Sequence, residues 1–345
     1  MTDREHDAEF AKLLEETRRL PRSIEPPRDL WPGIAARMRR RPAWLRWAAL
    51  AAAAAVVLVV GWRVLGGRGA GWVVARVDGA PRIGGTALAG TGTWRVGEVI
   101  VTDDSSRAEV QVGRIGRVEL LPGSELRLVA ARPDEHRLAL ARGTIYAEVT
   151  APPRLFVVET PSATAVDLGC AYTLEVDATG ASRLRVTAGY VELQGGGRRS
   201  IVPLGALAVT RSGAEGGGGP GTPFVEDAPA ALREALTAFD FERGGAASVR
   251  TVLRLARAQD AVTLWHLVSR VDPPLRAAVY DRLAALVPPP PGTSRDAALR
   301  LDAPTLQHYW EHLRRIQWRR MILKGIREID PRTGTGRAVE GGRRR

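Results

Sequence analysis

An uncharged apolar segment near the N-terminus constrains this 345-residue chain more than any other feature. From Trp47 to Trp62 the sequence reads WAALAAAAAVVLVVGW, without a charged residue. With its flanks, as residues 44–66, it reaches the ~20 residues that a helix needs to cross a bilayer. The alternatives are a buried core helix and a signal peptide. The all-round apolar character argues against the first, and the forty or more preceding residues argue against the second. The sequence therefore predicts a single transmembrane helix over 44–66.

The residues around this segment predict its anchors and its orientation. Trp44, Trp47 and Trp62 lie where interfacial aromatic side chains are expected, so they are predicted to anchor the helix against membrane lipid. Five arginines fall between residues 37 and 46, against three between 63 and 76. Because positive charge stays on the cytoplasmic side, we expect a cytoplasmic N-terminus and exported C-terminal domains.

Residues 70–212 follow a pattern of short strands. Apolar and polar residues alternate, as in Ala108, Val110 and Val112 or in Leu184 and Val186, and turn sequences such as Pro122-Gly123-Ser124 separate the runs. A period of two places one face of each strand in a core and the other in water. Many short strands at this spacing predict an all-β domain, and the pattern leaves a sandwich, a roll and a solenoid open.

Three blocks of this β region resemble the FecR family of envelope regulators. They are Gly90–Val112, Val118–Leu128 with Leu138–Val149, and Phe156–Val176 with Leu184–Leu193. The resemblance implies a non-enzymatic anti-sigma role at the bacterial inner membrane, with the β domain in the periplasm. It also implies two kinds of protein partner, a cytoplasmic sigma factor and an envelope or outer-membrane protein.

The short N-terminal stub, residues 1–43, is predicted to be helical and cytoplasmic. It is too short for a substantial core of its own, and Leu30, Trp31 and Ile34 form an apolar set on its second helix. We predict that these three residues bind a protein partner, and the alternative is that the helix lies on the bilayer. The stub lacks the His-Cys-Cys zinc constellation that many anti-sigma domains carry, so the alternative function is an envelope scaffold with an inert stub.

Composition divides the rest of the chain into three parts. Residues 213–229 are rich in glycine and proline and are predicted to be a linker. Residues 230–329 have a helical period, with Asp272-Pro273 opening one helix, and predict an α-helical domain that resembles HEAT-type repeats. Residues 330–345 are predicted to be a basic disordered tail.

The sequence offers no catalytic, metal or cofactor site. His308 and His312 share a helix face but lack a third ligand, and Cys170 has no histidine near it in sequence, so it is predicted to fill the core. Nucleotide-binding and hydrolase motifs are missing from the sequence. The net charge of +12 comes from scattered arginines, and no nucleic-acid partner is predicted.

Overall fold

The computed structural model describes residues 71–213, 218–323, 328–329 and 336–337. They all belong to the second of the two units into which the chain divides, residues 67–345. In chain order the strands are β1 (Gly71–Asp78), β2 (Arg82–Ile83), β3 (Thr86–Ala87), β4 (Thr91–Arg95), β5 (Val99–Val101), β6 (Arg107–Val112), β7 (Gly116–Leu120), β8 (Glu125–Arg132), β9 (Glu135–Val149), β10 (Phe156–Glu159), β11 (Thr164–Asp167), β12 (Cys170–Val176), β13 (Ser182–Ala188), β14 (Tyr190–Gly195), β15 (Arg198–Pro203), β16 (Ala206–Arg211), β17 (Gly219–Pro220), β18 (Phe224–Val225), β19 (Glu328–Ile329) and β20 (Gly336–Arg337).

The strands of residues 71–225 form two layers that share the long strand β9. The first layer runs β4-β1-β6-β7-β9-β12-β13-β16, and both β17 and β18 pair with β16. The second layer runs β3-β2-β5-β8-β9-β10-β11-β14-β15, with β9 and β10 parallel. β9 changes layer at Gly143, where φ is +87° and an added Cβ would lie 2.4 Å from the Cα of Ser124. Only glycine fits so close an approach in this conformation.

One hydrophobic core lies between the layers, and it confirms the strand faces that the sequence predicted. The inward side chains are buried because they alternate with outward polar ones along each strand. The five residues named above from alternation, Ala108, Val110, Val112, Leu184 and Val186, all belong to this core. The same alternation on the neighbouring strands accounts for Leu126, Leu128, Leu138, Leu140, Ile145, Ala147, Val149, Val191 and Leu193.

Helices follow strand β18 and have a second core of their own. They are α1 (Ala230–Phe241), α2 (Gly245–Leu255), a 3₁₀ turn (Ala258–Asp260), α3 (Ala261–Arg270), α4 (Pro273–Leu286), α5 (Arg295–Leu299) and α6 (Ala303–Leu323). Asp272 precedes α4 and Pro273 opens it, where a missing N–H costs no helical bond. Leu232, Val252, Leu264 and Leu283 are among the apolar side chains that meet in the helical core.

Part of the segment predicted as a glycine- and proline-rich linker is built into the sheet. β17 and β18 pair with β16, and residues 218–223 are buried. Gly219 has a φ of +106°, and a Cβ there would lie 2.3 Å from the backbone oxygen of Gly195. Glycine in this part of the segment therefore permits close packing, because no side chain separates the two backbones.

The fold class predicted from the sequence is wrong in one respect, the transmembrane helix. No helix among the described residues is long and apolar enough to span a membrane. The longest, α6, carries charged residues such as Glu311 and Arg314 along its length. The segment 44–66, with Trp44, Trp47 and Trp62, lies outside the described residues. The described fold is a large β part followed by a helical part.

Candidate functional site

A cleft of about 230 Å³ opens on the outer face of the second layer, and we call it the sheet cleft. Its apolar lining residues on β5 and β9 are Val99, Ala139, Leu140 and Ala141, and we call the two alanines its floor. The other lining residues are Glu125, Arg127, Glu159, Thr160 and Pro161, and we call Arg127 and Glu159 its two walls.

Strand register explains why the surface is hollow here. Val99, Arg127, Ala139 and Glu159 are successive cross-strand partners on β5, β8, β9 and β10, so they form one row across the layer. Neighbouring strands are ~4.8 Å apart, which puts the arginine and glutamate walls roughly 10 Å from each other. The methyl group of Ala139 between them is too small to fill that gap.

The carboxylates of the sheet cleft already have cationic partners. Nε of Arg142 lies 3.3 Å from Oε2 of Glu125, and Nη1 of Arg137 lies 2.5 Å from Oε1 of Glu159. Arg127 differs, because its Nη1 donates only a long hydrogen bond of 3.5 Å to the backbone oxygen of Gly97. Among the described residues it forms no ion pair, so the cleft carries one cation that those residues do not neutralise.

A second group of titratable side chains, Asp167, Cys170 and Tyr172, is buried inside the β core. Asp167 is 1% exposed, and burial raises its pKa to about 6. The Cys170 thiol donates to Oδ2 of Asp167, and burial, together with the charge of Asp167, raises the pKa of that thiol. A thiol that stays protonated is a poor nucleophile. The hydroxyl of Tyr172 is fully buried and has no hydrogen-bond partner among the described residues.

The two histidines of α6 are not part of a metal site in the described part of the chain. His308 is exposed, and its Nε2 lies 3.3 Å from the backbone oxygen of Pro291. His312 is half-buried one turn further along. No group of three or more His, Cys, Asp or Glu side chains among the described residues is placed to hold a metal ion.

Helix α3 covers the outer edge of strand β15 with two polar side chains. Nε2 of His266 accepts a hydrogen bond from the backbone N–H of Ile201 at 3.0 Å. Arg270 donates to the backbone oxygen of Arg199 at 2.9 Å and to Oγ of Ser200 at 2.7 Å. A strand edge presents a row of backbone donors and acceptors that need partners. His266 and Arg270 supply some of those partners.

This contact, which we call the α3–β15 joint, is buried and charged. Nη1 of Arg270 lies 3.2 Å from Oδ1 of Asp240, which also accepts from the hydroxyl of Thr222 at 3.1 Å. Nδ1 of His266 lies 2.9 Å from the backbone oxygen of Val262, which places its proton on Nδ1. Burial, followed by the charge of Arg270, lowers the pKa of His266 to about 3. His266 is therefore neutral in the joint.

The sequence predictions did not identify either of these places. Leu30, Trp31 and Ile34 lie outside the described residues, so their predicted role is untested. For the sheet cleft the available signal was the pair Ala139 and Ala141, small residues at outward positions of a strand. For the joint, the signal was His266 and Arg270, which are polar residues four apart within an apolar helix.

Comparison with known proteins gives a family match for the middle of the β part. Residues 98–192 match the sequence model of the FecR family, described as FecR protein, so the chain contains a FecR domain, as its three blocks indicated. The match indicates no catalytic family. It includes every residue that lines the sheet cleft.

Two crystal structures of a candidate anti-sigma factor from Parabacteroides distasonis ATCC 8503, at 1.65 and 2.50 Å resolution, are similar to part of this chain. Each has 17% sequence identity and a TM-score of 0.32, and each alignment covers 40% of this chain. The chain spans 63% and 62% of the length of those two proteins. No curated protein matches the sequence.

Proposed function

We propose that this FecR-domain chain is a non-enzymatic regulator that relays an envelope signal to a cytoplasmic sigma factor by binding proteins. The observation that carries the proposal is the FecR match over residues 98–192. The buried thiol of Cys170 agrees with a role that does not involve catalysis, because burial keeps it protonated.

The proposal includes a location at the bacterial inner membrane, with the N-terminus in the cytoplasm and the FecR domain in the periplasm. Its support is that five arginines lie between residues 37 and 46 and only three between residues 63 and 76. A reporter fused after Arg345 of the full chain tests it. We expect alkaline phosphatase to be active at that position and a cytoplasmic fluorescent reporter to be inactive. The opposite pattern would contradict the location.

The sheet cleft is the contact that we propose for an envelope protein partner. It lies on an outer face within the matched residues, and the α3–β15 joint occupies a different part of the same layer. Ala139→Trp should fill the cleft, because the new side chain stands between Arg127 and Glu159. Ala188 is an exposed alanine on β13 of the other layer, so Ala188→Trp is a matched control.

The test is a transcription reporter for genes that depend on the sigma factor, measured with full-length variants at equal abundance. We expect Ala139→Trp to change the response to the envelope signal by tenfold or so, the effect of losing about 1.4 kcal/mol of binding. Ala188→Trp should respond like the parent. An unchanged response in Ala139→Trp would remove the sheet cleft from the proposed function.

The sigma factor itself is proposed to bind the stub, residues 1–43, through Leu30, Trp31 and Ile34. A large aromatic side chain offers the most area to a partner groove, so Trp31→Ala in the full chain should cost about 2 kcal/mol of binding. Co-purification of the full chain with a sigma factor, lost in Trp31→Ala, is the expected result. A parent chain that recovers no sigma factor would favour the scaffold function instead.

A further inference from the structure

We propose that the sheet cleft binds a side-chain carboxylate of an extended protein segment, with Arg127 as its ion-pair partner and the two alanines as its floor. This inference deepens the proposed function, on which it rests for the idea that a protein partner exists. It names the chemistry of the partner segment, an Asp or Glu flanked by small apolar residues.

The charges of the cleft favour an acidic occupant. Glu125 has Arg142 as a partner, and Glu159 has Arg137. Arg127 is the remaining charge of the lining, and no carboxylate of the described residues pairs with it. A planar guanidinium binds a carboxylate through two parallel hydrogen bonds, so a partner carboxylate would complete the set of ion pairs.

The backbone under the cleft directs recognition to side chains. β8 is paired with β5 and β9, β9 with β8 and β10, and β10 with β9 and β11. Each of these strands therefore has both of its edges occupied, and a partner cannot add a strand here. A segment that binds must lie across the face and insert its side chains between the walls.

The shape of the cleft limits the size of what enters. Its walls are roughly 10 Å apart, as the strand spacing requires, and its volume is about 230 Å³. Thr160 at the rim is already engaged, since its hydroxyl donates to the backbone oxygen of Ala163 at 2.9 Å. One carboxylate side chain with small neighbours fits over Ala139 and Ala141, whereas bulky aromatic neighbours would meet Glu159 and Pro161.

The experiment uses three peptides, acetylated and amidated at their ends, with the sequences Ala-Ala-Asp-Ala-Ala, Ala-Ala-Asn-Ala-Ala and Ala-Ala-Lys-Ala-Ala. Their dissociation constants for the full-length protein are measured by ligand-observed NMR titration, which detects weak binding. We expect the Asp peptide to bind about two- to fivefold more tightly than the Asn peptide, the upper part of the range for an exposed arginine–carboxylate pair.

Variants assign that preference to one residue. Arg127→Gln should remove the difference between the Asp and Asn peptides, and Arg127→Glu should reverse the preference in favour of the Lys peptide. Arg183 is an exposed arginine on β13 of the other layer, so Arg183→Glu is the control and should keep the parental order. Ala139→Trp should abolish binding of all three peptides while circular dichroism shows a folded protein.

Three outcomes would overturn the inference. They are equal binding of the Asp and Asn peptides to the parent, a preference that survives in Arg127→Gln, and no binding at millimolar peptide. The transcription reporter remains a separate measurement. If the peptides bind as expected while Ala139→Trp signals normally, the carboxylate site stands and the signalling role of the cleft fails.

Discussion

Two buried ionisable residues oppose each other in the pH dependence of stability. The pKa of Asp167 is raised to about 6 in the folded chain, and that of His266 is lowered to about 3. The first residue therefore favours folding in acid, and the second disfavours it. Over the range in which both act, their contributions to the free energy of unfolding partly cancel, so single substitutions are needed to reveal them.

Asp167→Asn should remove a contribution that grows as the pH falls. The ordinary pKa of an aspartate is 3.8, so between about pH 6 and 3.8 the folded chain holds a proton that the unfolded chain releases. As the pH falls through that window, the free energy of unfolding of the parent should rise relative to that of Asp167→Asn by up to about 1.4 kcal/mol per pH unit. Urea unfolding of both proteins at pH 7, 5.5 and 4 measures it. A difference that does not change with pH would mean that Asp167 has an ordinary pKa.

His266→Gln should show the opposite slope. The ordinary pKa of histidine is 6.5. Between about pH 6.5 and 3 the unfolded chain therefore binds a proton at His266 that the folded chain does not bind. As the pH falls through this window, the parent should lose up to about 1.4 kcal/mol per pH unit relative to His266→Gln. The same urea series measures it. Equal slopes for the parent and for His266→Gln would contradict the buried, neutral state of His266 in the joint.

At the scale of the element, strand alternation determines which side chains enter the core. On β13, the side chains of Leu184 and Val186 are buried in the core. The side chain of Arg183 lies on the opposite face of the strand and is exposed to solvent. β13 pairs with β12 on one side and β16 on the other, so a shift by one residue would turn every one of its side chains to the wrong face.

Leu184→Asp should therefore unfold the β part. The substitution removes a fully buried side chain and puts a carboxylate without a counterion in its place. We expect a loss above the ~2–5 kcal/mol of a buried Leu→Ala change. Arg183→Asp on the same strand should cost less than about 1 kcal/mol. Thermal melting of both full-length variants measures this, and equal melting temperatures would show that the register is wrong.

At the scale of the whole molecule, the α3–β15 joint connects the helical part to the β part. Arg270 has a side chain only 10% exposed, and Asp240 is 3% exposed. Thr222 donates its backbone N–H to Oδ2 of Asp240 at 2.6 Å, so the carboxylate on α1 joins Arg270 of α3 to the segment between the two parts. Removing one member of such a buried pair leaves the other charge without its main partner.

Arg270→Gln should loosen the joint. We expect a loss of about 3–5 kcal/mol, because Asp240 would keep its hydrogen bonds from Thr222 but, as a cationic partner, only Arg198 at the longer distance of 3.8 Å. Hydrogen exchange at the amide of Ile201 should accelerate, and the core strands should stay protected. Arg211→Gln breaks an exposed pair with Glu242 between the same two parts, and it should cost about 1 kcal/mol or less. Equal effects of both substitutions would contradict the role of Arg270.

Local patterns anticipated much of the fold and none of the candidate site. The alternation on β6, β8, β9, β13 and β14 predicted their buried faces, and the three blocks indicated the FecR domain. The apolar segment 44–66 led to a transmembrane helix, which no described helix provides. Composition indicated a linker at 213–229, but pairing with β16 places part of it in the sheet.

The sequence by itself determined which faces of the strands and helices are apolar, because period two and period 3.6 are properties of neighbouring residues. Only the tertiary structure decided what those elements place together. Arg127, Ala139 and Glu159 meet in one row because three strands take a particular register. Arg270 reaches Arg199 from 71 residues away in the chain. Such contacts depend on which strands pair and where the helices dock. Those arrangements bring together residues far apart in the chain, so no periodic pattern of neighbouring residues predicts them.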